Sequence, residues 1–176
     1  MTRLFLIGYM GSGKTTLGKA YARSQGLQFI DLDKYIEARR RKSVSDIFHD
    51  EGEAGFRRIE CSMLREVGEF EDVVVAAGGG TPCFADNMDY MNRQGTTIFL
   101  DTSTDVLFRR LTVSPTRRPL LVGMADDELR RFMSQQLLQR MEFYRQAKLS
   151  FQGDKLEDRE QIARSVELLH QMLQNG

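Results

Sequence analysis

Four residues at fixed spacing, Gly8, Gly13, Lys14 and Thr15, complete the pattern G-x-x-x-x-G-K-[ST] inside "LFLIGYMGSGKTTLG". A loop of this kind turns backbone N–H groups and a helix N-terminus toward phosphate oxygens, while its lysine bridges the terminal phosphates and its hydroxyl reaches a magnesium ion. Gly11, Ser12, Gly13, Lys14, Thr15 and Thr16 are therefore the candidate nucleotide-binding residues, with Lys14 also a catalytic candidate and Thr15 a metal ligand. Guanine specificity usually accompanies an N/T-K-x-D stretch, and the chain contains no K-x-D. That favours ATP. The familiar second acidic motif is also missing, because the apolar run at 73–77 ends in Gly78, Gly79 and Gly80 where an aspartate would stand.

The carboxylates must then come from "FIDLDKY", in which Asp31 and Asp33 follow the second apolar run. Ligands bind at the carboxyl edge of parallel sheets. If the backbone stays extended, a spacing of two puts both side chains on one side, one for the metal and one for an acceptor. Helix capping by Asp33 is the alternative reading. The three glycines of "AGGGTP" let a substrate approach the main chain closely, or else form a tight turn before Pro82.

Two arginines stand out by their place on helices. At about 100° per residue, Phe56, Ile59, Met63 and Val67 form one stripe, with Glu60 inside it and Arg57 at its border. Leu129, Phe132, Met133, Leu137 and Tyr144 form another, with Arg140 near its middle. A cation so placed needs an anionic partner, either a bound ligand or an internal salt bridge; for Arg57 the neighbouring Glu60 is the obvious candidate for the latter.

The elements that must position these residues follow from the apolar pattern. Short, largely β-branched or aromatic runs near 3–7, 27–30, 73–77, 96–100 and 148–151 alternate with helical periodicity, which predicts an α/β fold with a parallel sheet. Helices are predicted near 14–25, 34–41, 52–68, 85–93, 104–111, 126–145 and 159–173. Two intervals depart from simple alternation: 33–68 holds more helical material than one crossover needs, and 111–124 has two prolines, a glycine and little periodicity. Both read as insertions over the site.

The totals narrow the function classes. The 176 residues are 41% apolar and 28% charged, enough for a single domain with a full core. Lys plus Arg equals Asp plus Glu at 25 each, so no global field draws the chain to nucleic acid or to an anionic membrane. Cys61 and Cys83 are too few and too unpatterned for a disulfide framework or a zinc site with the two histidines. A reducing cytoplasm is expected, since the apolar N-terminal run is far too short for a signal peptide or a spanning helix.

With those residues assembled, the chain resembles the shikimate kinase family. The likeness rests on "GYMGSGKTTLG", "FIDLDKYIE", "IFHDEGEAGFRRIE", "AAGGGTP", "RRPLL" and "RMEFY", which occur in the family's order and approximate spacing. It implies a five-stranded parallel sheet flanked by helices, the phosphate-loop kinase fold, as a single domain over 1–176 with a substrate-binding insertion at about 33–61 and a lid at about 112–124. It further implies transfer of a phosphoryl group from ATP, with Mg2+, to the 3-hydroxyl of shikimate, by a cytoplasmic monomer. On the matching positions Asp33 contacts the accepting hydroxyl, Arg57, Arg140 and Gly79 hold shikimate, Asp31 supports the metal, and Phe48 and Phe56 wall the ring. An arginine before "PLL", taken as Arg118 with Arg117 beside it, reaches ATP from the lid; Arg110, or its neighbour Arg109, stacks on the adenine. The rival readings are a kinase of the same fold for another acceptor, such as gluconate, and a nucleotide-driven switch. For the switch the sequence offers no charge block or tail as a partner surface.

Overall fold

A computed structural model of the chain describes residues 1–113 and 123–175. Five parallel strands, β1 (Arg3–Ile7), β2 (Gln28–Asp31), β3 (Val73–Ala76), β4 (Thr96–Asp101) and β5 (Leu149–Gln152), form one sheet in the order β2-β3-β1-β4-β5. Each predicted apolar run is one of these strands. They read as continuous apolar runs because both faces are covered. Phe5, Ile7, Val73 and Val75 enter one buried cluster, and Leu4, Leu6, Val74 and Ile98 enter the other.

Seven helices accompany the strands among the described residues: α1 (Lys14–Gln25), α2 (Leu32–Arg40), α3 (Val44–Gly68), α4 (Asn87–Gln94), α5 (Thr104–Val113), α6 (Asp126–Tyr144) and α7 (Arg159–Asn175). α1 and α7 supply Leu17, Tyr21, Ala22 and Leu169 to one sheet face; α2, α3, α4 and α6 cover the other. A third cluster joins Tyr9 and Met10 of the phosphate loop to Leu107 and Leu111 of α5 and Leu129 and Met133 of α6. The loop is thereby packed against the helix pair that flanks 114–122. That segment, the bulk of the lid assigned at 112–124, lies outside the described residues, as do Arg117 and Arg118.

Two local structures differ from the sequence reading. The first concerns the aspartates: α2 begins at Leu32, directly after β2, so the backbone does not stay extended through Asp33. Asp31 is the N-cap, accepting from Lys34 N at 3.2 Å, and Asp33 sits in the first helical turn. Capping therefore falls to Asp31 and not to Asp33. The cause is Leu32, wholly buried in the core and usable as the first helical residue only if the chain turns at once.

The second is α3, which starts at Val44, well before the predicted 52. Its leading arm is capped by Ser43, whose Oγ accepts from Asp46 N at 3.0 Å. The two arms meet at Gly52, with φ 68 and ψ −179, a backbone region that only glycine occupies readily. On a straight helix residues eight apart stand about 12 Å apart along the axis. The kink instead stacks the Phe48 ring on Phe56 with centroids 4.4 Å apart.

Candidate active site

Every loop at the carboxyl edge of the sheet contributes to one region. After β1 the chain forms the phosphate loop, in which Gly13 holds φ 97 as N-cap of α1 and so aims the helix N-terminus outward. Lys14 Nζ donates to the carbonyls of Gly8 (2.7 Å) and Tyr9 (2.8 Å), which holds its ammonium over the loop. Thr102 beyond β4 braces the loop by donating from Oγ1 to Ser12 O at 3.2 Å. Arg110 of α5 fastens it again: Nη1 donates to Gly11 O (3.0 Å), Nη2 to Gly153 O (3.0 Å) and Asp154 O (3.1 Å), and Nε to Glu157 Oε1 (2.9 Å). Arg109 also reaches Glu157, at 3.4 Å, but from an exposed position. Lys14, Thr15, Asp31, Asp33, Gly78 and Arg110 all line one cavity of about 390 Å³; Arg109 does not.

Oxygen donors suited to a small divalent cation meet in that cavity. Thr15 Oγ1 donates to Asp31 Oδ2 at 3.1 Å, joining the end of β2 to the start of α1. Among the described residues no group of three or more His, Cys, Asp or Glu side chains could hold a metal alone. One hydroxyl and one carboxylate fit magnesium, which keeps several waters and commonly takes its remaining ligands from substrate phosphates.

The β3–α4 turn organises the other half. Residues Thr81–Cys83 form one 3-10 turn, and the main chain before it is bare at Gly78, Gly79 and Gly80. A methyl group placed on Gly78 would stand 3.2 Å from both Asp33 Oδ1 and Glu60 Oε1, so the two carboxylates approach the turn from α2 and α3. Glu60 is only 1% exposed and accepts from Thr81 Oγ1 (2.6 Å) and Arg57 Nη1 (2.8 Å). Burial pushes its carboxyl up from the ordinary 4.5, and the opposing pull of Arg57 and Thr81 does not cancel this.

The two arginines differ. Arg57 makes the internal salt bridge with Glu60, yet its Nε is buried without a hydrogen-bond acceptor. A donor left so costs about 1–3 kcal/mol, which marks a place where an anion would be welcome. Arg140 pairs with no carboxylate among the described residues. Its guanidinium lies 5.5 Å from the Tyr9 ring centroid, and a methyl on Gly79 would stand 3.1 Å from its Nη1. Gly79 is itself held by Tyr144, whose Oη donates to Gly79 O at 2.6 Å. A methyl on Gly80 would stand 2.6 Å from Arg57 Nη2, so Arg57 from α3 and Arg140 from α6 lie against consecutive glycines of one turn.

Cys83 lies beside this pair, and burial pushes its thiol up to about 11 even though Arg140 and Arg57 pull it down. It is a neutral thiol near neutral pH and no nucleophile. Thr81, Phe84, Tyr9 and Glu157 contribute to the site without having been singled out from the sequence. They act through contacts between distant elements, which leave no periodic trace. Only the Thr81–Glu60 bond had a clue, in a glutamate placed on an apolar stripe that needed a second donor.

This geometry agrees with comparisons to known proteins. A family model described as shikimate kinase matches residues 10–170. The shikimate kinase of Bacteroides fragilis is 58% identical to the chain, covering 98% of it and 97% of its own length. The crystal structure of shikimate kinase from Bacteroides thetaiotaomicron superimposes with a TM-score of 0.97 at 55% identity, covering 98% of each chain. Shikimate kinase from Acinetobacter baumannii in complex with shikimate aligns with a TM-score of 0.84 at 30% identity, covering 99% of this chain and 94% of that one. With a phosphate loop, two facing carboxylates and two arginines on a glycine turn, and with these matches along nearly its whole length, the chain belongs to the shikimate kinase family.

Proposed function

We propose the following division of labour for the phosphorylation of shikimate by ATP. The triphosphate lies along the loop from Gly11 to Thr16, where backbone N–H groups, the N-terminus of α1 and Lys14 stabilise the charge that develops on the transferred phosphoryl group. Magnesium, when bound, would neutralise phosphate charge; Thr15 Oγ1 and Asp31 are the groups that would hold it. Asp33 orients the 3-hydroxyl of shikimate and takes its proton as the new bond forms. Arg57 and Arg140 receive the acceptor's carboxylate, and the bare backbone at Gly79 lets the ring approach. Arg110 borders the adenine while it fixes the loop.

The observation that carries this reading is that Lys14 and Thr15, on the donor side, share a cavity with Asp33 and Gly78, on the acceptor side. Transfer from ATP to a bound hydroxyl needs that proximity. The segment at about 33–61, rooted between β2 and β3, serves as the acceptor-binding insertion; the lid assigned at about 112–124, with Arg118, lies largely outside the described residues. Two free cysteines suit a reducing cytoplasm, and among the described residues no helix is long and apolar enough to cross a membrane. The test is ADP release from magnesium-ATP in a coupled assay. Turnover should rise sharply with shikimate, and stimulation by gluconate or a nucleoside monophosphate in its place would overturn the assignment.

A further inference from the structure

We infer that Phe84 is a positioning residue for the acceptor's carboxylate, acting through Arg57; the inference rests on Arg57 holding that carboxylate. The Arg57 Cζ lies 4.0 Å from the centroid of the Phe84 ring, closer than its 5.3 Å approach to Phe56. At this distance the ring attracts the guanidinium and opposes its withdrawal. Glu60 takes one of its N–H donors, at Nη1. Gly80 leaves room for the rest of the group, since a methyl there would fall within 3.1 Å of Cζ and both terminal nitrogens. Ring, carboxylate and glycine together hold the fork from three sides.

The main chain that carries the ring is itself held by hydrogen bonds. Phe84 follows the 3-10 turn in extended conformation, with φ −118 and ψ 144. Its carbonyl accepts from Asn87 N at 3.2 Å, while Asn87 Nδ2 donates to Thr81 O at 2.9 Å. Arg65 Nη1 in turn donates to Asn87 Oδ1 at 2.6 Å. This bracing ties the main chain that carries Phe84 to α3, the helix that carries Arg57. An aliphatic side chain at 84 would fill the space without orienting the fork, and a planar carboxylate needs both donors aligned.

The test compares Phe84→Leu, Phe84→Met and Phe84→Tyr with Arg57→Ala and the double variant Phe84→Leu/Arg57→Ala, each checked by thermal melting. Loss of the ring face should raise the KM for shikimate about 3- to 30-fold, with kcat within about twofold and the KM for ATP unchanged. Phe84→Tyr keeps the ring and should stay near the native value. In the Arg57→Ala background the Phe84→Leu change should have little further effect. A near-native KM in the folded Leu and Met variants, or an undiminished effect without Arg57, would overturn the inference alone. Should Arg57→Ala itself leave the KM native, the assignment of Arg57 to the acceptor falls, and the inference with it.

Discussion

Adding one methyl group at Gly80 should disable acceptor binding without harming the fold. Gly80 has φ −91 and ψ −14, a conformation open to any residue, so Gly80→Ala introduces no backbone strain. The cost falls on Arg57. The new Cβ would stand 2.6 Å from Nη2 and 3.1 Å from Cζ and Nη1, whereas ordinary contact begins at 3.4 Å. The guanidinium must therefore retreat by roughly 1 Å, because united-atom repulsion rises steeply inside contact. That displacement pulls Nη1 from its 2.8 Å bond to Glu60 and turns the fork away from the carboxylate it would receive. Misplacing a binding group by about 1 Å can cost up to 10²-fold, so kcat/KM for shikimate should fall by about 10- to 100-fold. Stability should fall modestly, since the weakened bond to buried Glu60 outweighs the small gain from an alanine that restricts the unfolded chain more than glycine does. Steady-state kinetics varying shikimate and ATP separately, together with a thermal melt, provide the assay. A folded Gly80→Ala enzyme whose kcat/KM for shikimate stays within about twofold of native would show that the position of the Arg57 guanidinium does not govern acceptor binding.

The aspartates should separate: Asp33→Asn keeps size and hydrogen bonding but cannot take the proton, so kcat should fall by about 10² to 10⁴ with ATP binding intact. Asp31→Asn should instead raise the magnesium requirement in a titration of activity, and it should cost little stability because asparagine also caps helices well. Arg140→Ala should raise the KM for shikimate by about tenfold or more while leaving the melting temperature nearly unchanged, since no carboxylate among the described residues depends on it. Glu60 gives a pH signature. Its carboxyl is raised in the folded state, so the native protein binds that proton more tightly than the unfolded chain, and stability falls as pH rises through the raised value. Denaturant unfolding of the protein relative to Glu60→Gln should show a difference that is flat below 4.5 and declines above it. A difference that grows with pH would reverse the assignment.

The sheet was legible from sequence because strands buried on both faces carry uninterrupted apolar runs, and β1 to β5 each fall where such a run lies. The leading arm of α3 escaped because Val44–Glu51 spans only about two helical turns before a glycine, although Ser43 with Asp46 three residues on is a capping signal that could have revealed it. Asp31 and Asp33 were legible as a pair but not in their local roles, since those depend on where Leu32 buries itself. The contact between Phe84 and Arg57 joins two elements far apart in the chain, and no one-dimensional spacing encodes it.

The placement of the proposed acceptor insertion has a consequence for how such an enzyme could change its substrate. The chain leaves the sheet at Asp31 and returns at Val73 into the neighbouring strand, with Gln28 in register with Val73. Doubling the length of a flexible loop within such a crossover adds only about 0.6 kcal/mol of closure entropy. The proposed acceptor half could therefore be lengthened at its exposed α2–α3 turn, residues 41–43, with little penalty, provided that Leu32, Ile36, Phe56 and Leu64 keep covering the sheet, and the phosphate loop on β1 and α1 would be untouched. Any variant of it would meet two fixed features from outside the proposed insertion: the Phe84 ring and bare Gly80, against which Arg57 lies, and Arg140, which would also meet an anionic acceptor group.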